Sequence, residues 1–465
     1  METSTGTAAG APAGAGADGL LELAVSDVAH GGWCVARHPE GRVVFVRHAL
    51  PGERVRARIT DTTARFARAE AVEILQASPD RVEPPCPHAR PGGCGGCDWQ
   101  HATPEAQRRL KAAVIRQQLR RIAGLDREVT VEPLPGDSGG LGWRTRIRFS
   151  VGPDGAAGLL KHRSHEVTGV GTCPLAHPLV GETAVTGQRW PRVSSVEVAV
   201  SAGSGERAAI VTAAPGRRPG RPATGGGAGT ATASSPAGRA AAMLDGFATV
   251  LAAGRDGRLT ALRGRGYLHQ SAAGRTWRVG AGTFWQVHPG AVDALTAAVL
   301  DVLRPAPGDV ALDLFCGAGV FAGALAEAVG PGGAVIGVEG DRGAVRDARH
   351  NLRRLPWARI HHGDVAAVLA RDGAPAGDGW PEAGLAVLDP PRAGAGRAVV
   401  ERLLRPPGPH GGRLRRVAYV SCDPATLARD IAVFGELGWR LAGLRAFDAF
   451  PMTHHVECVA ALTPA

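Results

Sequence analysis

The second half of the chain alternates short apolar segments with helical patterns, and this alternation restricts the possible folds more than any other feature. Strands are expected at 310–315, 334–338, 385–388, 416–420, 439–447 and 454–462. Helices are expected between them at about 319–329, 342–354 and 424–437. Such alternation produces a parallel sheet with helices on both faces, so we predict an α/β fold. The last two strands have no helix between them, which indicates an antiparallel pair at one end of the sheet.

A glycine-rich loop follows the first of these strands. Gly317 and Gly319 separate that strand from the next helix, and the following strand ends in Glu339, twenty residues beyond Gly319. Glycines let a ligand approach the backbone, a helix start offers free N–H groups, and an acid at this spacing can bind ribose hydroxyls. We therefore predict a nucleoside-bearing cofactor, although the glycine spacing also fits a nicotinamide dinucleotide fingerprint.

Two further polar motifs follow predicted strands. One reads Asp-Pro-Pro-Arg at 389–392, and the other reads Ser-Cys-Asp-Pro at 421–424. Open α/β sheets bind their ligands at the carboxyl ends of the strands. Both motifs should therefore lie at the same edge of the sheet as the glycine loop.

Length, charge and cysteine content limit the class of protein. A chain of 465 residues should contain two to four domains. Its 53 Lys and Arg residues against 43 Asp and Glu residues give a net charge of +10, which favours a polyanionic partner such as nucleic acid. We find no signal-peptide pattern and no apolar run of transmembrane length, so we expect a cytoplasmic protein without disulfides. Nothing in the sequence demands a partner subunit, and we expect a monomer.

The N-terminal region predicts a short tail followed by a barrel. Residues 1–18 contain too few apolar side chains to fold, and we expect a disordered tail. Residues 19–78 contain short alternating apolar runs separated by glycines, as in a small β-barrel of the oligonucleotide-binding type. The expected outer surface carries Arg47, Arg54, Arg56, Arg58, Arg65 and Arg68. A barrel with a purely structural role fits the same pattern.

A cysteine-rich loop follows the barrel. Cys86, Cys94 and Cys97 lie within twelve residues that are rich in glycine and proline, which excludes core positions of a helix or strand. This pattern predicts a metal site, and Cys173 in another turn-prone segment is the best candidate for a fourth ligand. Zinc and an iron–sulfur cluster both accept four thiolates, so the spacing leaves both possible.

The central region, 79–289, is predicted to be a mixed α+β domain that binds RNA. Thr103 should cap a helix that extends to about Leu125, with a basic exposed face formed by Arg108, Arg109, Lys111, Arg116, Arg120 and Arg121. At 143–149, arginines alternate with apolar residues as in a strand with one cationic face, which suits bases and phosphates. A solvated sheet face is the alternative. Residues 203–240 are of low complexity and are interpreted as a flexible insertion.

Together these motifs resemble the RNA uracil-5-methyltransferase family, which methylates uridine in 23S ribosomal RNA or transfer RNA with S-adenosylmethionine. The resemblance runs from about residue 20 to 462. Its narrowest signals are Phe-Trp-Gln-Val at 284–287, Ser-Cys-Asp-Pro at 421–424 and Phe-Pro-Met-Thr-His-His-Val-Glu at 450–457. The barrel resembles a TRAM domain, and the cysteine loop resembles the four-cysteine [4Fe-4S] site of that family, which is favoured over zinc.

The resemblance implies a role for individual residues and a Rossmann-like methyltransferase domain at 290–465. The cofactor site, including the glycine loop, would comprise Gln286, Phe315, Gly317, Glu339, Asp364 and Asp389. Cys422 would be the nucleophile, and Glu457 would accept the proton. The barrel and the cysteine site together favour 23S ribosomal RNA over transfer RNA. The chain departs from the family pattern at Val320, often Asn in members, and in a longer spacing between the first two cysteines.

These residue types suit methylation of uracil. Carbon 5 becomes nucleophilic only after a thiolate adds to carbon 6, and a base must then remove the carbon 5 proton. We expect the helix start after Cys422 to lower the pKa of its thiol. The target base must leave its stack, so the site needs flat walls, for which Phe284 and Phe447 are candidates.

Two alternatives stay open on the sequence alone. A cytosine-5-methyltransferase would use the same covalent chemistry, but the motif at 389–392 lacks a Pro-Cys pair. The other alternative is a non-catalytic RNA-binding protein that has a metal site.

Overall fold

The structure is a computed structural model that describes residues 19–215, 235–370, 383–404 and 414–465. The predicted tail at 1–18 and the segment 216–234 of the predicted insertion lie outside the described residues. Within the described ranges, none of the helices combines the length and the apolar character needed to cross a membrane.

The first strands form the predicted closed barrel. They are β1 (Leu21–Ala29), β2 (Trp33–Arg37), β3 (Val43–Arg47), β4 (Arg54–Thr62) and β5 (Phe66–Gln76), in the order β1-β2-β3-β5-β4. Leu21, Leu23 and Val25 point inward and alternate with exposed residues, as the pleat of a strand requires. The prediction that Arg47 lies on the outer surface was wrong. It is buried because its guanidinium lies 3.7 Å from Glu70 and 3.6 Å from Asp98.

Helix α1 (Pro104–Gln118) follows the cysteine loop, and Thr103 caps it by accepting a hydrogen bond from the Ala106 N–H. The helix ends earlier than predicted, because a single π-helical turn at Leu119–Ala123 replaces its last part. Lys111, predicted on the exposed basic face, is instead buried. Its ammonium group pairs with the Asp448 carboxylate of the C-terminal sheet and also donates to the Phe450 carbonyl at 3.1 Å. This pairing attaches α1 to the C-terminal sheet.

The central region contains a mixed sheet and a hairpin. Its strands are β6 (Val131–Pro133), β7 (Arg146–Val151), β8 (Ala157–Leu160), β9 (Val167–Thr168), β10 (Val193–Val200), β11 (Arg207–Ala213), β12 (Thr249–Ala253), β13 (Leu259–Arg263), β14 (Tyr267–Ala272) and β15 (Arg275–Gly280). The helices are α2 (Pro178–Gly181) and α3 (Pro236–Ala242). The sheet has the order β13-β12-β11-β10-β7-β8-β9, and β14 pairs with β15.

Two predictions for this region were wrong in part. β11 lies inside the predicted insertion and pairs with both β10 and β12, because its apolar residues fill the centre of the sheet. The arginines of β7 do not form a free cationic face. Arg146 and Arg148 both bind the carboxylate of Glu197 on β10, at 2.9 Å each.

The C-terminal part forms the predicted α/β sheet. Its strands are β16 (Val310–Leu314), β17 (Ala334–Glu339), β18 (Ala358–His362), β19 (Leu385–Leu388), β20 (Arg416–Ser421), β21 (Trp439–Asp448) and β22 (Glu457–Pro464). The helices are α4 (Ala291–Leu303), α5 (Val320–Val329), α6 (Arg342–Asn351), α7 (Val365–Leu369), α8 (Arg397–Leu403) and α9 (Pro424–Glu436). The sheet order is β18-β17-β16-β19-β20-β22-β21-β6.

The topology of this sheet determines where a ligand can bind. β16 to β20 are parallel, whereas β22 is antiparallel to both β20 and β21, as predicted. Alternate strand residues contribute to two cores, one on each face; Ala311 and Leu325 belong to one core, Leu312 and Leu427 to the other. The strand order reverses between β16 and β19, which creates a crevice at their carboxyl ends.

Candidate active site

A cavity of about 970 Å³ lies at the carboxyl ends of the C-terminal strands. Its walls come from the barrel, the cysteine loop, the segment before α4 and the C-terminal sheet. Every residue predicted for the cofactor site and for catalysis lines it: Gln286, Phe315, Gly317, Glu339, Asp364, Asp389, Cys422 and Glu457. The fold therefore brings together residues that are far apart in the chain.

The glycine loop and Glu339 form one wall of the cavity. The Glu339 carboxylate accepts hydrogen bonds from the Gly317 N–H at 2.9 Å and from the Asp341 N–H at 2.7 Å, which fixes its orientation. Gly319 has a φ of +88°, and a Cβ atom there would lie 3.2 Å from the Ala348 side chain on α6. Glycine is therefore required both by the backbone conformation and by the packing of α5 against α6.

Two further acidic residues, Asp313 and Asp389, lie close to Glu339 at this wall. Burial raises the pKa of Asp389 to about 7, and the charge of Glu339 adds to the effect. Burial raises the pKa of Asp313 to about 8, with contributions from the charges of Asp389 and Glu339, although the Ala322 N–H opposes the rise. A positively charged ligand would relieve this repulsion. The wall thus suits a cationic group, such as the sulfonium of S-adenosylmethionine.

Cys422 also lines the cavity and lies between β20 and α9. Burial and the charge of Glu457 raise the pKa of its thiol to about 11, while Arg392 opposes the rise. The prediction that the helix start lowers this pKa was wrong. The reason is that burial and the charge of Glu457 dominate. The Ala425 and Thr426 N–H groups at the start of α9 are already bonded to the Asp423 carboxylate, at 3.0 and 2.9 Å.

Glu457 begins β22 and is almost fully buried, with 3% of its surface exposed. Burial and the charge of Asp389 raise the pKa of its carboxyl well above the usual range, although a hydrogen bond with Gln286 opposes the rise. Within the described part of the chain, Oε2 of Glu457 and Oε1 of Gln286 have no hydrogen-bond partner. Buried polar atoms usually have partners, so these atoms are available to a ligand in the cavity.

Of the two aromatic residues predicted to form walls of the site, one lines the cavity and the other does not. Phe284 lines the cavity with 68% of its surface exposed. Phe447 is not among the lining residues, because its ring is buried in the core on one face of the sheet. Phe284 is therefore accessible to a flat ligand, and the prediction for Phe447 was wrong.

The cysteine loop contacts the segment before Glu457, which the sequence did not predict. The Asp98 N–H donates to the Met452 carbonyl at 3.0 Å, and the Asp98 carboxylate binds the His454 ring at 2.7 Å. In the barrel, the His30 ring lies 3.1 Å from the Asp423 carboxylate, next to Cys422. In each pair the two residues are hundreds of positions apart in the sequence. The only sequence signal for either contact is that His454 belongs to the terminal motif at 450–457.

The four predicted metal ligands, Cys86, Cys94, Cys97 and Cys173, all line one small cavity. The Gly96 N–H donates to the Cys94 sulfur at 3.4 Å, and the Gln100 amide donates to the Cys97 sulfur at 3.0 Å. Burial raises the pKa of Cys94, Cys97 and Cys173, and the charges of neighbouring cysteines add to this. Across the described residues, no three His, Cys, Asp or Glu side chains are grouped so that they could hold a metal ion.

Comparison with known protein families gives three matches along the chain. Residues 20–72 match the TRAM domain, residues 305–370 match a methyltransferase domain, and residues 382–464 match the tRNA (uracil-5-)-methyltransferase family. The last match contains both Cys422 and Glu457.

Similar proteins cover nearly the whole chain. A Streptomyces avermitilis protein described as an uncharacterized RNA methyltransferase is 49% identical over 96% of this chain and 98% of its own length. The 23S rRNA (uracil(1939)-C(5))-methyltransferase RlmD of Alkalilimnicola ehrlichii is 35% identical over 95% of this chain and 96% of its own.

Among solved structures, the fold resembles that of the Pyrococcus abyssi tRNA (uracil-54, C5)-methyltransferase in complex with S-adenosyl-L-homocysteine. The TM-score is 0.67 with 21% identity, over 95% of this chain and 99% of that chain. The chain is therefore an S-adenosylmethionine-dependent RNA methyltransferase rather than a non-catalytic RNA-binding protein, and it belongs to the RNA (uracil-5-)-methyltransferase family with a TRAM domain.

Proposed function

We propose that this protein transfers a methyl group to carbon 5 of a uridine in 23S ribosomal RNA through a covalent adduct with Cys422. The observation that carries this proposal is that Cys422 and Glu457 line the same cavity as the glycine loop and Glu339. A nucleophile, a base and a cofactor wall around one space are the groups that the reaction requires.

The cofactor wall fits S-adenosylmethionine, which supplies an electrophilic methyl group when bound. Glu339 would bind the ribose hydroxyls, since backbone N–H groups already fix its carboxylate. Asp364 also caps α7 and lines the cavity beside it. Phe315 has a φ of +67°, and its neighbour Gly317 leaves open space above the loop. Together with Gln286 and Asp389, these residues form the proposed cofactor site.

Cys422 begins the reaction. Its thiol must lose a proton before the sulfur bonds to carbon 6 of the uracil, and the Arg392 guanidinium favours the thiolate. Formation of this bond shifts an electron pair onto carbon 5 and the carbonyl oxygen, and carbon 5 then attacks the methyl group. The exposed ring of Phe284 can stack against the base once it has left its helix.

Glu457 completes the reaction. Its carboxylate takes the proton from carbon 5, and the returning electron pair expels the Cys422 sulfur from carbon 6. A buried carboxylate with a raised pKa is a stronger base than one in water, which suits removal of a carbon-bound proton.

The preference for 23S ribosomal RNA is supported by two observations. The Alkalilimnicola ehrlichii relative is named as a 23S rRNA enzyme, and the chain combines a barrel with a four-cysteine loop. The test is to map 5-methyluridine in total RNA from a deletion strain complemented with the wild-type gene or with Cys422→Ala. Loss from 23S RNA that only the wild-type gene restores is the expected result. Loss from transfer RNA alone would refute the preference, and 5-methylcytidine loss would indicate the cytosine alternative.

We also propose that Cys86, Cys94, Cys97 and Cys173 hold a [4Fe-4S] cluster. The thiols line one cavity, N–H groups already donate to two of the sulfurs, and a metal would offset the burial of their charge. In the described residues the sulfurs are not grouped closely enough to hold a metal ion, so the loop must close around the cluster when it binds. Protein prepared without oxygen should contain iron and sulfide and absorb broadly in the visible range. Cys173→Ser should lower the iron content, whereas Cys34→Ser, in the barrel core, should not. Stoichiometric zinc without iron would contradict this.

The division into units at 19–78, 79–289 and 290–465 is likewise a proposal, with limited proteolysis between them as its test. A monomeric state and a cytoplasmic location are further proposals, which gel filtration and cell fractionation would test.

A further inference from the structure

The outer face of the barrel carries aromatic residues that no hydrophobic core of the described chain includes. We call Trp33, Phe45, Phe66 and Arg68 the barrel aromatic patch. They lie on the adjacent strands β2, β3 and β5, at positions that alternate with buried ones. None of the three aromatic rings is part of a hydrophobic cluster or packs against one, within the ranges that the structure describes. The patch therefore remains partly exposed.

The members of the patch contact one another. The Phe45 and Phe66 rings are 5.4 Å apart in an edge-to-face arrangement. The Arg68 guanidinium lies 4.8 Å from the centre of the Phe66 ring and 5.8 Å from that of Trp33. The Asp61 carboxylate forms an ion pair with Arg68, which helps to fix the guanidinium in place. The result is a continuous surface of flat side chains that are already positioned.

The patch adjoins the active-site cavity. The Trp33 ring lies 5.6 Å from the ring of His162, and His162 lines the cavity. Gly31, two residues before Trp33, lines the cavity as well. An RNA strand that left the cavity on this side would pass over the barrel aromatic patch.

The chemistry of the patch fits unpaired bases. Bases stack on aromatic rings and on guanidinium planes, and the net charge of +10 favours a phosphate backbone. Strands β2 and β3 of barrels of the oligonucleotide-binding type form such a face. A protein partner would also cover apolar rings, but continuity with a cavity that receives a nucleotide favours RNA.

We propose that the barrel aromatic patch stacks an unpaired base that flanks the target uridine. The substrate then requires a single-stranded segment on one side of that uridine. This inference rests on the proposed function and specifies which part of the RNA the barrel recognises.

The test combines variants of the patch with truncated RNA. Trp33→Ala and Phe66→Ala are compared with the wild type, with the conservative variant Trp33→Phe, and with Leu75→Ala. Leu75 is an exposed apolar residue of the same strand as Phe66, nine positions further along, so it is roughly 30 Å away. The RNAs are a 23S fragment with unpaired flanks and two shortened forms that lack one flank or the other.

With the full fragment, Trp33→Ala should raise KM by about tenfold, as expected for the loss of one stacked base, and leave kcat unchanged. Phe66→Ala should act in the same direction, Trp33→Phe should restore most of the affinity, and Leu75→Ala should have no effect. On the RNA that lacks the stacked flank, the wild type and Trp33→Ala should have the same KM and the same kcat.

Three results would overturn the proposal: an unchanged KM for Trp33→Ala on the full fragment, a lowered kcat, or an equal loss on all three RNAs. An unchanged KM would assign the patch to another partner. If the wild-type protein methylates none of the RNAs, the proposed function fails instead. Fluorescence anisotropy with the same labelled RNAs then tests the stacking without any requirement for turnover.

Discussion

The substitution Glu457→Gln removes the proposed base and leaves the rest of the site unchanged. Glutamine keeps the shape of the side chain and its place beside Gln286, but it cannot accept a proton from carbon 5. Loss of a general base lowers turnover by about 10²- to 10⁴-fold, which corresponds to about 3–5 kcal/mol of activation free energy. Addition of Cys422 and methyl transfer precede this step, so the methylated RNA should stay attached to the protein.

The same substitution should also change how the stability of the protein depends on pH. Burial raises the folded-state pKa of Glu457 well above the ordinary value of 4.5. Its contribution to stability is complete below pH 4.5 and is lost as the pH rises through the folded-state pKa. Glutamine lacks this dependence. The melting temperature of Glu457→Gln relative to that of the wild type should therefore increase between acidic and alkaline pH.

The assay uses S-adenosylmethionine labelled in its methyl group, with RNA and enzyme separated on a denaturing gel. For Glu457→Gln, the label should migrate with the protein at about one methyl group per enzyme, whereas wild type should release it as free RNA. Glu83→Gln, a change at an exposed acid outside the cavity, is the matched control and should behave like wild type. Free turnover of Glu457→Gln near the wild-type rate, without protein-linked label, would refute the role of Glu457.

Other predictions concern the nucleophile and the core. Cys422→Ala should abolish adduct and methylation while RNA still binds in a filter assay; retained methylation would contradict its role. The rate of adduct formation should rise about tenfold per pH unit below the thiol pKa of about 11, because only the thiolate reacts, and a flat profile in single-turnover experiments would argue against this. Lys111→Ala leaves Asp448 buried and unpaired, so urea titration should show a loss of about 3–5 kcal/mol, and Lys111→Met with Asp448→Leu should recover most of it.

The C-terminal fold was well predicted from the sequence because continuous apolar runs and helical patterns alternate clearly along it. Strands such as Val310–Leu314 and Leu385–Leu388 are buried on both faces, so continuous apolar runs specify them. Polar motifs directly after these strands had to meet at one edge, and the cavity lies there. The roles proposed for Cys422 and Glu457 depended on the resemblance to a family, since periodicity does not distinguish a nucleophile from a buried thiol.

Contacts between distant segments could not be predicted. The helical spacing puts Lys111 on the exposed face of its helix. Only the packing of the C-terminal sheet brings Asp448 against it. Likewise, the bond between Asp98 and His454 depends on how the cysteine loop packs on the C-terminal motif. The thiol pKa of Cys422 is raised because burial and Glu457 outweigh Arg392, a balance that only the three-dimensional arrangement reveals.

The most direct test of the covalent mechanism is to identify the protein atom that binds the RNA. In RNA that contains 5-fluorouridine at the target position, fluorine replaces the proton on carbon 5. A base cannot remove fluorine as it removes a proton, so the adduct should persist after methyl transfer. After digestion of this complex with protease and nuclease, mass spectrometry should find the modified, methylated nucleotide on the peptide that contains Cys422, and only when S-adenosylmethionine is present. Attachment to another cysteine, or no attachment by an enzyme that methylates ordinary uridine in the same RNA, would contradict the mechanism.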